Sequence, residues 1–256
     1  MNQNPPIQPI PSSHLRILSA GAMHPVIDEL RETLQHIAGK PVEVQFTNSG
    51  GVKARVLAGE AADVVITTAA AIDELRHHDK VLPETATAVA RSSIGVAVRA
   101  GAARPDIGSV ESFKRTLRDA RSIAIADPAT GSPSGNHLVG VFERLGMTAE
   151  LQGKIKRVGG GAGGVVVVGG VVASGEAEIG LQQIAEILGV PGLDLVGEIP
   201  PGMQHVTVFS AAVAATTTDV PSARRLVAYL ASPQAAAVIT AKGMQAASSE
   251  PGKLTR

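Results

Sequence analysis

Ile17-Leu18-Ser19-Ala20-Gly21-Ala22-Met23 runs from an apolar strand into small residues, and from Val26 onward the apolar side chains recur at helical spacing. The same grammar returns at Phe46-Thr47-Asn48-Ser49-Gly50-Gly51 and at Ala126-Asp127-Pro128-Ala129-Thr130-Gly131-Ser132-Pro133-Ser134-Gly135. In each stretch a parallel strand ends and a helix begins among residues bearing a hydroxyl, an amide or no side chain. The unpaired N–H groups of the helix and the positive end of its dipole then point outward from the strand ends, which makes a seat for an anion. Short β-rich runs alternating with amphipathic helices predict an α/β fold.

Working outward, the pattern predicts strands at 15–19, 42–47 and 63–67 and helices at 52–58 and 69–77. Val26, Ile27, Leu30, Leu34 and Ile37 form one helical face, which Gly39-Lys40-Pro41 ends. The run at 93–98 follows without a βαβ crossover and reads as the strand that passes into a second lobe. Helices at 110–117 and 135–145 and strands at 122–126 and 178–181 belong there. The run 205–215 reads as a long strand returning beside 93–98, and helices at 220–230 and 233–241 go back to the first lobe. The expected division is a disordered leader at 1–13, a first lobe from 14–91 and 217–256, and a second lobe from 92–216, hinged near 92–98 and 205–215. Segment 159–175, GGGAGGVVVVGGVVASG, is built from poor helix formers. It reads either as a glycine-rich loop with a buried strand or as a nest of backbone N–H groups facing the cleft.

Composition removes several function classes. With 23 basic and 23 acidic residues among 256 there is no net charge and no basic block to follow a phosphate backbone. One Tyr, four Phe and no Trp leave nothing for an aromatic cage or a base-stacking platform. No cysteine is present, so disulfides, thiolate metal sites and cysteine nucleophiles are excluded. Residues 1–13 hold four prolines and no apolar core, the pattern of neither a secretory signal nor a membrane span. No G-x-S-x-G elbow, Walker loop or G-x-G-x-x-G behind a strand occurs.

The SAGAM turn, FTNSGGVKARVLAGEAADVVI, IADPATGSPSG, GEAEIGLQQ and the terminal VAYLASPQAAAVITAKG together resemble the molybdate-type periplasmic solute-binding proteins, in the right order from Leu15 to Gly243. The resemblance implies a two-lobed, type II binding-protein fold in which each lobe is a mixed sheet flanked by helices, closing over an anion held by uncharged donors. It places ligand contacts at Gly21, Ala22, Asn48, Ser49, Ser134, Val165 and Gln183. Two of these depart from the family pattern, because Ala22 stands where the family has a serine and Gln183 where it has a tyrosine. A changed donor set around a tetrahedral ion leaves groups unmatched, at about 1–3 kcal/mol each, whereas an extended carboxylate fits Asn48, Ser49, Ser134 and Gln183 at least as well.

GEAEIGLQQIAEIL and GMQHVTVFSAAVAA resemble more closely a branch of this family that includes aconitate isomerase. Two readings therefore stand side by side. In the first, the protein captures a small oxyanion or carboxylate and works with an ABC transporter membrane component. In the second, it moves a proton between the cis and trans forms of a tricarboxylate, with His24, near a helix N-terminus, as the base. Both expect a monomer with no cofactor and no nucleic-acid partner. The resemblance implies the periplasm, while the leader as written implies the cytoplasm if the chain is complete.

The individual residues also have plainer readings. Ser49 before a helix is commonly an N-cap, a role compatible with anion contact. Ser132-Pro133-Ser134-Gly135 has turn composition, and Ser134 is the ligand candidate in it, with Asn136 behind. Strand alternation allows only one of Gln182 and Gln183 to face the cleft. His205 and Thr207 lie where a hinge strand can touch ligand. His77-His78-Asp79 reads as a solvated helix end, and no metal ligands are assigned.

Overall fold

A computed structural model describes residues 13–159 and 168–247; the expected leader, save Ser13, lies outside the described residues. The chain opens with β1 (Leu15–Ala20), a 3-10 turn at Gly21–Met23, α1 (His24–Glu29) and α2 (Arg31–Ala38), followed by β2 (Val42–Thr47), α3 (Ser49–Leu57), β3 (Val64–Thr68), α4 (Ala69–His77) and β4 (Thr87–Ser92). It then crosses on β5 (Ile94–Arg99) to a second sheet made with α5 (Val110–Asp119), β6 (Ile123–Ala126), α6 (Pro133–Arg144), α7 (Thr148–Leu151), β7 (Ile155–Val158), α8 (Val168–Ala173), β8 (Ile179–Gln183), α9 (Ile184–Leu188) and β9 (Leu193–Glu198). It returns on β10 (Thr207–Val213) and finishes with α10 (Val220–Leu230), α11 (Pro233–Ala241) and β11 (Gln245–Ala246). No described helix is long and apolar enough to cross a membrane.

The first sheet has the order β11-β4-β10-β3-β1-β2 and the second β7-β6-β8-β5-β9. In the first, β1 pairs parallel with β2 and β3, while β10 runs antiparallel to β3 and β4. Its strands are apolar on both sides because both faces are covered. Ile17 and Ile66 pack with Val26, Leu34, Leu226 and Leu230 on one face, and Leu18 and Val65, one residue out of phase, pack with Val52, Ile72 and Leu75 on the other. In the second sheet Val96, Ile123, Ile125 and Leu181 meet Phe113, Leu138 and Phe142.

Several elements differ from the sequence reading. The returning strand does not lie beside β5, and β10 belongs to the first sheet, so the second crossing falls before Thr207 and the second lobe ends short of 216. The reason is that both edges of β5 are already taken, by β8 on one side and β9 on the other. β4, β7, β9 and β11 were not expected; β4 supplies the edge that β10 fills. Residues 168–173, read from the sequence either as loop and strand or as part of a nest of backbone N–H groups, form the helix α8. Val168 and Val172, one turn apart, close onto Gly180, where a Cβ would lie 2.7 Å from Val172 Cγ2. Packing of the two valines into that gap overrides their low propensity.

The two crossings are tied together by one side chain. Gln204 Oε1 accepts from Ile94 N–H at 2.8 Å, and Gln204 Nε2 donates to Ile94 C=O at 2.9 Å. Ile94 is fully buried, so its N–H has no water to turn to. Gln204→Ala is expected to lower unfolding free energy by about 1–3 kcal/mol, read from the urea midpoint at unchanged slope.

Candidate functional site

The strand ends face one another across the gap between the sheets and line an open cleft of about 330 Å³, its solvent-filled mouth included. Gly21, Ala22, Asn48, Ser49, Ser134 and Gln183 all line this space, so six of the seven expected contacts are brought together. The seventh, Val165, lies outside the described residues. Ser132, Pro133, Glu186 and Phe209 line it as well and were not expected there.

The helices α3 and α6 open at the cleft with caps that leave their outermost N–H groups without an intrahelical acceptor. Asn48 Oδ1 accepts from Gly51 N–H at 2.7 Å and caps α3. Ser132 Oγ accepts from Gly135 N–H at 3.4 Å and caps α6, where it also lies 3.2 Å from Ser134 Oγ. The N–H groups of Ser49 and Gly50 on α3 and of Ser134 on α6 have no intrahelical acceptor by helix geometry. They and the Ser49 and Ser134 hydroxyls are the donors the cleft offers. The plainer capping role thus falls to Asn48 and Ser132 rather than to Ser49 and Ser134.

Gln183 closes the wall between them. Its side chain is 2% exposed; Nε2 donates to Thr207 Oγ1 at 2.8 Å, and Oε1 is buried without a partner. Since Thr207 can either accept or donate, turning the amide by 180° keeps that bond and presents NH₂ to an anion. Gln182 is not among the residues that line the cavity, and its side chain is hydrogen-bonded to Glu186.

Glu186 is the one ionisable side chain among the described residues that line the cavity. It is partly buried on α9, one turn after Gln183. Loss of solvent pushes its carboxyl up to about 8, against the weaker opposing effect of the Gln182 hydrogen bond. It is therefore mostly protonated at neutral pH. Glu186 stands three residues beyond Gln183 on a helix, where a carboxyl is ordinarily solvated, so neither it nor Phe209, an interior strand residue, carried a local signal of facing the cavity.

His24 does not reach the cleft. Met23, Val26 and Ile27 take the buried face of the first turns, which leaves His24 on the outer face. There its Nε2 lies 2.8 Å from Asp28 Oδ2 and its ring packs on Phe46 at 4.3 Å. The base role expected for it is not supported. His205 stacks on His137 at 5.0 Å outside the cavity, and burial followed by that neighbour lowers its pKa. Asn136 is exposed. The side chains of His77, His78 and Asp79 are exposed at the end of α4, and among the described residues no three acidic or histidine side chains form a metal-ligand group.

The lobes touch at the rim. A Cβ on Gly50 would sit 2.7 Å from Thr130 O and 2.9 Å from Gly131 Cα, and Gly131 itself holds φ +74°. Backbone meets backbone here, so neither side can yield. Gly50→Ala is expected to hold the lobes apart without unfolding either, which small-angle scattering will register as a larger radius of gyration beside an unchanged circular dichroism spectrum.

The model of the family described as bacterial extracellular solute-binding protein matches residues 15–245. Aconitate isomerase of a Pseudomonas species is 32% identical over 246 residues, spanning 94% of this chain and 91% of that protein. Among solved structures, the periplasmic molybdate-binding protein of Azotobacter vinelandii superposes with a TM-score of 0.73 at 21% identity, over 90% of this chain and 98% of that one. The sulfate-binding protein SubI of Mycobacterium tuberculosis gives 0.72 at 17% identity, over 93% and 88%. These two likenesses speak for the fold.

Proposed function

Because the chain belongs to the bacterial extracellular solute-binding protein family, we propose that its cleft takes a small polycarboxylate and isomerises it as an aconitate isomerase, moving a proton between the cis and trans forms. The observation that carries this reading is the donor set. Donors arrive from α3 on one lobe, from α6 on the other and from the Gln183 amide between them, while Ala22 leaves a gap where a serine would help close a cage around a tetrahedral ion. Such an open set suits a ligand with several separated carboxylates. The aconitate isomerase relative, aligned over nearly its whole length, supports the same class of ligand.

Chemically, the conversion is an allylic shift. A proton leaves the methylene carbon next to a carboxylate, and the electron pair spreads over three carbons onto the carboxylate at the far end. A proton then arrives at the other terminal carbon. N–H groups aimed at a carboxylate stabilise the charge that develops there. A second reading, capture of an anion for an ABC transporter membrane component in the periplasm, is favoured by the family and by the neutral donors alone; either way the working unit is a monomer.

Thermal unfolding with cis-aconitate, trans-aconitate, citrate, molybdate, tungstate, sulfate and phosphate decides between them. At a hundredfold over its Kd a ligand adds about 2.7 kcal/mol, a shift of several degrees for a chain of this size. The expected result is a shift with the aconitates, with NMR following each isomer to a common equilibrium mixture. A shift with molybdate or tungstate alone overturns the isomerase reading in favour of capture. Ser49→Ala is expected to weaken the effective ligand at least tenfold by calorimetry.

A further inference from the structure

We propose that Glu186 is the group that carries the proton in this isomerisation, taking it from the methylene carbon and delivering it to the opposite end of the allyl system. The inference rests on the isomerase reading above and adds the residue that performs it.

Three observations place Glu186 in this role. It shares one cavity with Ser49, Ser134 and Gln183, the groups that hold the carboxylates, and no other described residue lining that cavity can exchange a proton at ordinary pH. His24, the alternative, is engaged with Asp28 on the outer surface. The hydrogen-bond partner of Glu186 is the Gln182 side chain rather than a lysine or arginine, and Glu186 takes part in none of the ion pairs of the described residues. A base locked to a cation would have lost both its basicity and its freedom to move. Gln182, itself 2% exposed, orients the carboxyl while leaving the proton exchangeable.

Base strength agrees with the geometry. A proton on carbon beside a carboxylate is weakly acidic, and an ordinary carboxylate is a poor match for it. Burial raises the Glu186 carboxyl to about 8, which makes its ionised form a stronger base that is still populated near neutrality. The first step breaks the C–H bond of the methylene, forms an O–H bond on Glu186 and leaves the electron pair delocalised over the three carbons and the carboxylate at the α3 and α6 N-termini. The second step returns the proton from Glu186 to the other terminal carbon and moves the double bond by one position. Glu186 ends ionised as it began, and neither oxidant nor cofactor is consumed. One carboxyl serves both steps because the two terminal carbons lie on either side of a single central carbon, within the sweep of one side chain.

Glu186→Gln keeps the shape and removes the exchange. With wild type as the control, the expected result is that E186Q binds cis-aconitate within threefold of wild type by calorimetry while kcat falls by about 10²–10⁴-fold, together with deuterium uptake from D₂O into the aconitate carbons. The wild-type kcat/KM is expected to rise with pH to a plateau above about 8, since that profile reports the free enzyme. Turnover by E186Q within tenfold of wild type, or a wild-type profile flat from pH 6 to 9, overturns the role of Glu186 and leaves the isomerase reading standing. Wild type inert toward both aconitates overturns the isomerase reading, and this inference with it.

Discussion

A ligand entering this cleft gives up its water to a wall of backbone N–H groups, hydroxyls and the side-chain amides of Asn48 and Gln183. No lysine or arginine lines the cavity among the described residues. This suits a site that fills and empties, since a cation buried in the empty cleft would itself be costly to desolvate, whereas N–H groups at a helix end carry only partial charge. The donors need strands that end together with helices that start there. Hence the parallel pairing of β1, β2 and β3 and of β6 with β7 and β8 is as much part of the site as Ser49 or Ser134.

The same constraint explains the joint between the lobes. β8 ends at Gln183 and β10 begins at Thr207, so the hydrogen bond between these side chains runs from the second sheet to the first. Gln204 binds the first crossing at Ile94 a few residues earlier. The wall of the cleft and the two crossings between the sheets are therefore built from the same stretch. α9 follows directly, with Ala185 packed into the core of the first lobe and Ile199, beyond it, in that of the second. Glu186 rides on that bridge.

Much of the site was legible because strand-to-helix turns write themselves in short-range chemistry. Asn48-Ser49-Gly50-Gly51 and Ser132-Pro133-Ser134-Gly135 signal caps and N-termini through residues that local hydrogen bonding selects, and both proved to face the cavity. Glu186 carried no such signal. A carboxyl in a helix is ordinarily solvated, and only its position against Gln182 and the opposite lobe removes its water. His24 shows the converse, since its place at a helix start was legible, but the direction of its side chain follows from which face of α1 the core takes.

By itself the sequence determined the α/β alternation, the positions of the helix N-termini and the neutral character of the donors, because each depends on residues adjacent along the chain. Tertiary structure alone decided that β10 fills the place between β3 and β4 rather than joining β5, that Val168–Ala173 winds into a helix against Gly180, and that one carboxyl comes to lie inside the cleft. Those outcomes depend on which strand edges are already occupied, where a missing Cβ leaves room, and which groups two separate lobes remove from water. None of these is a property of any short stretch of the chain.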